Sequence, residues 1–125
     1  MILDTNAVSA ILAADPKISA VLGDSSNHHL PVIVIAEYQF GIRGSRYQRP
    51  LALGFQRLEA KLEILVCDRP TAIEYADICH TLKQIGRPIP HNDLWIAALT
   101  RQHDLEIASQ DQHFDHVPGV KRLGW

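Results

Sequence analysis

The sequence predicts a three-layer α/β/α domain with a mostly parallel central sheet, formed by residues 1–125 as one unit. Three observations carry this expectation. Short apolar, β-branched-rich runs at 30–35, 64–67 and 105–108 alternate with stretches whose apolar residues recur at helical spacing, and such alternation builds βα units with helices on both sheet faces. A length of 125 residues suits one hydrophobic core. Hydrophobic and charged contents of 46% and 21% are those of an ordinary globular protein.

Taken in order, Met1-Ile2-Leu3 reads as a minimal strand that ends by presenting Asp4, with Thr5 or Asn6 capping the helix behind it. Residues 7–13 are alanine-rich and helical in propensity. Asp15-Pro16 breaks that helix and starts another, with Pro16 in its first turn and Ile18, Val21 and Leu22 as its buried stripe. A loop follows at 23–27. The run 30–35 is a buried strand delayed by Pro31. It passes without a turn signal into a helix that starts near Val34, so Glu37 lies about one turn in. Gly44-Ser45 closes that segment.

Residues 50–63 form an amphipathic helix with Leu51, Phe55, Leu58 and Leu62 on one face, followed by a buried strand at 64–67. A helix over 71–84 turns Ile73, Ala76, Ile78, Cys79 and Leu82 inward and is stopped by Gly86 and Pro88. Asn92 caps a helix over 94–103. The strand 105–108 runs into Ser109-Gln110-Asp111, and 120–123 supplies a last edge strand.

Composition narrows the function. A net charge of −2 argues against nucleic-acid binding by bulk charge and leaves room for a local basic surface. No apolar run approaches the roughly 18 residues of a membrane span, and the N-terminus lacks the basic flank and apolar run of a signal peptide. The expected location is cytoplasmic, without a membrane partner. Cys67 and Cys79 form no CxxC pair and are expected as reduced, buried packing residues.

The acids carry the chemistry. Glu59, Glu63, Glu74 and Asp77 fall on solvated faces and need no function. Four others share another address: Asp4 ends the first strand, Glu37 follows the second, Asp111 follows the strand 105–108, and Asp93 opens a helix near the same sheet edge. Each would also serve as a helix cap, which is the plainer reading of any one of them. Four converging carboxylates raise one another's pKa, and a hard divalent cation offsets that cost. Mg²⁺ or Mn²⁺ takes oxygen ligands, retains waters and is commonly bound by carboxylates together with a substrate phosphate. The pattern points to phosphodiester chemistry.

Leu3-Asp4-Thr5-Asn6, Ile35-Ala36-Glu37-Tyr38-Gln39-Phe40-Gly41 and Asn92-Asp93-Leu94-Trp95-Ile96-Ala97-Ala98 occur in the order seen in PIN-domain ribonucleases. Ala108-Ser109-Gln110-Asp111-Gln112-His113-Phe114, then Val117-Pro118-Gly119-Val120, complete the pattern. Over essentially its whole length the chain resembles the VapC toxins of bacterial type II toxin–antitoxin systems. The resemblance implies that Asp4, Glu37, Asp93 and Asp111 are the acidic metal-site residues, with Asn6 and Ser109 as polar support. It further implies endonucleolytic cleavage of RNA, often tRNA or rRNA, with Mg²⁺ or Mn²⁺. Homodimers are implied too, as is a hetero-oligomer with a VapB-type antitoxin whose C-terminal segment covers the active site. Three departures stand out. Ser109 replaces a frequent Thr and keeps the hydroxyl, Asp115 competes with Asp111 for the fourth place, and no Ser or Thr caps the helix of Glu37.

Within that reading, Asp4 and Asp93 bind the metal directly or through water. Glu37 either binds it or orients the attacking water. Asp111 tunes the site or helps place a second ion, and hydrolysis follows in-line attack by a metal-activated water. Arg43-Gly44-Ser45-Arg46-Tyr47-Gln48-Arg49 gathers guanidiniums around an aromatic ring and is either an RNA-contact loop or a solvated connector. His91 with Asp93, or His113 with His116, has ligand-like spacing, but the Cys/His signature of structural zinc is absent. His28 and His29 read as loop or strand-edge residues, Trp95 as a packing or interface residue, and Tyr38 and Phe40 as part of a partner groove. Two alternatives remain. One is a PIN-like RNA- or protein-binding module without catalysis. The other is an aspartate-dependent phosphatase, which Asn6 disfavours because a second Asp belongs there.

Overall fold

The run Ile2–Leu3 forms a two-residue strand, β1, at the centre of a five-stranded sheet. In this computed structural model, which describes residues 1–24 and 27–125, the other strands are His29–Pro31 (β2), Glu63–Leu65 (β3), Ile107–Ala108 (β4) and Arg122–Leu123 (β5). Their order is β3-β2-β1-β4-β5 and every pairing is parallel. Ile2 pairs with His29 on one side and Ile107 on the other, and Leu3 pairs with Ala108. Such short strands contribute little through their own ladders. Ile2, Leu3, Leu30, Ile107 and Ala108 are all fully buried, so apolar burial fixes the sheet.

Six helices connect the strands: Thr5–Leu12 (α1), Pro16–Leu22 (α2), Val32–Arg43 (α3), Gln48–Glu59 (α4), Arg69–Gln84 (α5) and His91–Gln102 (α6). The chain steps outward from β1 to β2 to β3, then returns across the sheet to β4 on the other side of β1. By the right-handedness of parallel crossovers, the outward and the returning connections are expected on opposite faces of the sheet. The reversal makes β1 and β4 a topological switch point, where a crevice opens beyond the carboxyl ends of the strands.

Helix α6 differs from a surface helix, since Ile96, Ala97, Ala98 and Leu99 are fully buried. It packs along α5 and also meets α3. Thr100 is buried in it and returns its hydroxyl to the Ile96 carbonyl, 2.8 Å away. Small Ala97 and Ala98 let neighbouring elements approach from two sides.

Several elements differ from their sequence reading. The strand expected at 30–35 stops at Pro31, and Val32-Ile33-Val34-Ile35 begins α3. Pro31 sits at the N-cap with extended dihedrals and no side-chain cap. Its neighbour Leu65 is the last residue of β3, so beyond Pro31 a strand has nothing to pair with. β-Branched residues cost a helix only a few tenths of a kcal/mol each, and burial of Val34 outweighs that. Asp4, rather than Thr5 or Asn6, is the N-cap of α1. Pro90, rather than Asn92, is the N-cap of α6, which begins at His91.

Helix α5 starts earlier than expected because Asp68 and Thr71 form a capping box around Arg69-Pro70. Its buried line is Thr71, Ile78 and Leu82. Ile73, expected inward, is 55% exposed, and Ala76 is exposed as well; packing on α6 selects a stripe rotated from the one hydropathy marks. Cys67 is exposed, not buried, because β3 ends two residues before it. His29 lies inside an interior strand, buried and 3.1 Å from Glu63, where a loop or edge was expected. Of the predicted loop 23–27, residues 25 and 26 lie outside the described residues. Among the described residues no helix is long and apolar enough to cross a membrane.

Tyr38 of α3 is half-buried and stacks on Phe55 of α4 with ring centroids 4.6 Å apart, while Phe40 on the same helix is exposed. Phe55 is fully buried. The substitution Phe55→Ala is expected to cost about 3–5 kcal/mol, read as a lowered midpoint in urea unfolding.

Candidate active site

The site is assembled from residues immediately beyond β1 and β4. Asp4 ends β1 and is only 6% exposed. Its Oδ1 accepts the Thr5 amide at 2.7 Å. Its Oδ2 accepts the Asn6 side-chain amide at 3.0 Å and the Ser109 hydroxyl at 2.6 Å. Capping α1 and joining the ends of β1 and β4 are thus done by one carboxylate. Ser109 follows β4 and is fully buried. It also accepts the Asp111 amide at 2.9 Å, while Asn6 Oδ1 accepts the Gln110 amide at 3.1 Å. Residues more than a hundred positions apart are thereby tied across the switch point.

The other acids arrive from three directions. Glu37 stands on α3, where its Oε1 accepts the Thr5 hydroxyl at 3.1 Å. Thr5 therefore holds two carboxylates at once, a role beyond the cap expected of it. Asp93 is in the first turn of α6, where the helix dipole favours its charge. Asp111 caps the 3-10 helix Gln112–His116 and accepts the His113 amide at 2.9 Å. Between these two stands the His113 ring, with Nδ1 3.0 Å from Asp111 Oδ1 and 3.2 Å from Asp93 Oδ2. Carboxylates only accept, so in this arrangement Nδ1 carries the proton.

Electrostatics agree with that convergence. Burial pushes the Asp4 carboxyl above the usual carboxylate range and the Asp111 charge adds to it, while the Ser109, Thr5 and Asn6 donors oppose the rise. Burial also raises Asp93; the charges of Asp111 and Asp4 add to this, and His113 works against it. The structure thus brings all four predicted acids to one sheet edge, with Glu37 joined through Thr5. Asp115 is elsewhere. It is exposed and makes a two-point pair with Arg122 of β5, both contacts 2.8 Å, which holds its carboxyl low.

His113 is the residue that sequence reading left out of this cluster. Spacing gave a signal, since Asp111-Gln112-His113 puts an imidazole two residues from an acid, but its approach to Asp93 depends on tertiary structure. Two other histidines have contacts elsewhere: His91 bonds Tyr75 at 2.8 Å and His116 lies 3.2 Å from Arg87. Trp95 packs against Tyr75 with ring centroids 4.2 Å apart, as a packing residue does.

Among the described residues no Lys or Arg reaches ion-pair distance of Asp4, Glu37, Asp93 or Asp111. Clustered acids, with Asp4 and Asp93 raised by burial and no Lys or Arg paired to any of the four, form a donor set of hard oxygens. That set fits a divalent cation. Asp93, Asp111 and His113 each bring one ligand atom to within 4.8 Å of the others.

A fully parallel α/β sheet with acids gathered at its switch point is the architecture of a PIN domain. The PIN-domain family model matches residues 1–120, and the chain belongs to that family. It is 31% identical over 121 residues to toxin FitB of Neisseria gonorrhoeae, an alignment covering 89% of this chain and 87% of that protein. It is also 31% identical over 99 residues to ribonuclease VapC1 of Haemophilus influenzae, covering 76% and 74% of the two chains. In fold it matches a chain of VapBC2 from Rickettsia felis, solved with a DNA fragment from its promoter, with a TM-score of 0.91 at 21% identity and coverage of 99% and 97%.

The pKa directions give two expectations. Asp4 has its folded pKa above its unfolded one, so its ionisation subtracts stability from the metal-free protein as pH rises through that interval. A bound cation reverses the effect, so Mn²⁺ should raise Tm clearly at neutral pH and little near pH 4, around the ordinary Asp pKa. The Ser109 hydroxyl favours the ionised form of Asp4 over the neutral one. Ser109→Ala should therefore cost about 1–3 kcal/mol at neutral pH, with a smaller loss in acid, compared by denaturant unfolding at the two pH values.

Proposed function

We propose that the chain is the toxin of a type II toxin–antitoxin pair and acts as a metal-dependent endoribonuclease. The observation that carries this reading is the convergence of Asp4, Glu37, Asp93 and Asp111 at the switch point with no Lys or Arg paired to them. Asp4 and Asp93, with Asp111 beside them, would hold Mg²⁺ or Mn²⁺. Such an ion supplies an acidified water and neutralises charge developing on a phosphate.

The chain's own residues supply the rest. Thr5 fixes one oxygen of Glu37, so the carboxylate is oriented to take a proton from the attacking water. Ser109 and Asn6 keep Asp4 in one orientation, and positioning at this level is what in-line attack requires. Arg43, Arg46 and Arg49 lie beyond Glu37 at the end of α3 and into α4 and form no ion pair among the described residues. They supply guanidiniums for the phosphates of an RNA substrate, of the tRNA or rRNA class. The names of the relatives FitB and VapC1, a toxin and a ribonuclease, support the activity. The VapBC2 neighbour supports a VapB-type antitoxin as partner, with the toxin as a homodimer inside that hetero-oligomer.

Asp4→Asn is expected to abolish Mg²⁺- or Mn²⁺-dependent RNA cleavage, with a loss of at least about a hundredfold, and to relieve growth arrest on expression. Purified protein is assayed on total tRNA and rRNA with and without chelator. Cleavage that survives either the substitution or the chelator sinks the proposal, and a binding module would yield RNA binding with no product.

A further inference from the structure

We infer that His113 is a nitrogen ligand of the metal site, bound through Nδ1, which tilts the site from Mg²⁺ towards Mn²⁺. The inference rests on the metal-dependent reading above and concerns which residues hold the ion.

Geometry carries it. At metal–ligand distances of about 2.1 Å, neighbouring ligands of an octahedral ion stand about 3.0 Å apart. His113 Nδ1 is 3.0 Å from Asp111 Oδ1 and 3.2 Å from Asp93 Oδ2. Both contacts from Nδ1 thus match the spacing of adjacent ligands on such an ion, and the three ligand atoms lie within 4.8 Å of one another. A ring that only hydrogen-bonded one carboxylate would need no such bridging position. The placement is also built in. The His113 amide is bonded to Asp111 at the start of the 3-10 helix, and the next residue, Phe114, is fully buried. Backbone and anchor thus hold the imidazole while 49% of its side chain stays exposed.

Chemistry gives the consequence. Mg²⁺ takes oxygen ligands almost exclusively and keeps its waters, whereas first-row ions accept imidazole. Mn²⁺ accepts both oxygen and nitrogen donors, which is what Asp93, Asp111 and His113 present together. A nitrogen donor therefore adds affinity for Mn²⁺ that it does not add for Mg²⁺.

The test uses the purified chain without RNA. Mn²⁺ and Mg²⁺ binding are measured by titration calorimetry, and pulsed electron paramagnetic resonance of bound Mn²⁺ reads coupling to a directly ligated ¹⁴N. The wild type should show that coupling. His113→Ala should abolish it and weaken Mn²⁺ by about tenfold or more, with Mg²⁺ affinity nearly unchanged. His113→Gln, which retains a hydrogen-bond donor, should behave as His113→Ala does and serves as the variant of record if circular dichroism shows that the alanine variant does not fold. Bound Mn²⁺ without nitrogen coupling in the wild type, or equal weakening of both ions in the variants, overturns the assignment. The nuclease reading fails separately: coupling without any RNA cleavage leaves His113 a ligand and removes the enzyme, while cleavage without coupling does the reverse. If the wild type binds neither ion, both fall.

Discussion

A carboxylate buried at the end of the central strand is the constraint on which the rest of the structure depends. Asp4 is 6% exposed and its ionisation is opposed by burial. Its charge is tolerated because three donors converge on it, from Thr5, Asn6 and Ser109. Two of them come from the first turn of α1 and one from the residue after β4. Satisfying a single side chain therefore specifies the helix start and the side-by-side placement of β1 and β4.

The parallel sheet turns that local arrangement into a site. Strands of two or three residues leave little room for register error: Ile2 sits between His29 and Ile107, and Leu3 lies beside Ala108. A slip of one residue between β1 and β4 would carry Asp4 out of line with Ser109. With the register set, Asp4 and Ser109 are neighbours beyond adjacent strand ends. Helix α6, buried on nearly every side, fixes the height of Asp93 against the same edge. The ring of His113 then closes the gap between the carboxylates that α6 and the 3-10 helix present.

Much of this was legible in the chain. Period-3.6 stretches alternating with short apolar runs identified the layers, and the acids following those runs identified the edge on which chemistry would be sought. Legibility failed where local preference was outweighed by packing. Val32-Ile33-Val34-Ile35 favours a strand by propensity and is a helix because β2 and β3 stop together at Pro31 and Leu65. Ile73 has the hydropathy of a core residue and faces solvent because α6 engages a different side of α5. Along the chain Asp115 stood as a competitor to Asp111 for the fourth place. Arg122, brought alongside by β5, pairs with Asp115 and leaves Asp111 to the cluster.

By itself the sequence determined the fold class and the order of elements, and it singled out four acids by their places along the chain, because hydropathy period and strand-end chemistry are local properties. Only the tertiary structure decided which groups touch. That Ser109 donates to Asp4, that Thr5 links Asp4 to Glu37, and that His113 stands between Asp93 and Asp111 all depend on strand order and helix packing. These contacts join residues up to 105 positions apart. Their partners are chosen by the burial of apolar surface elsewhere, and no local pattern records that choice.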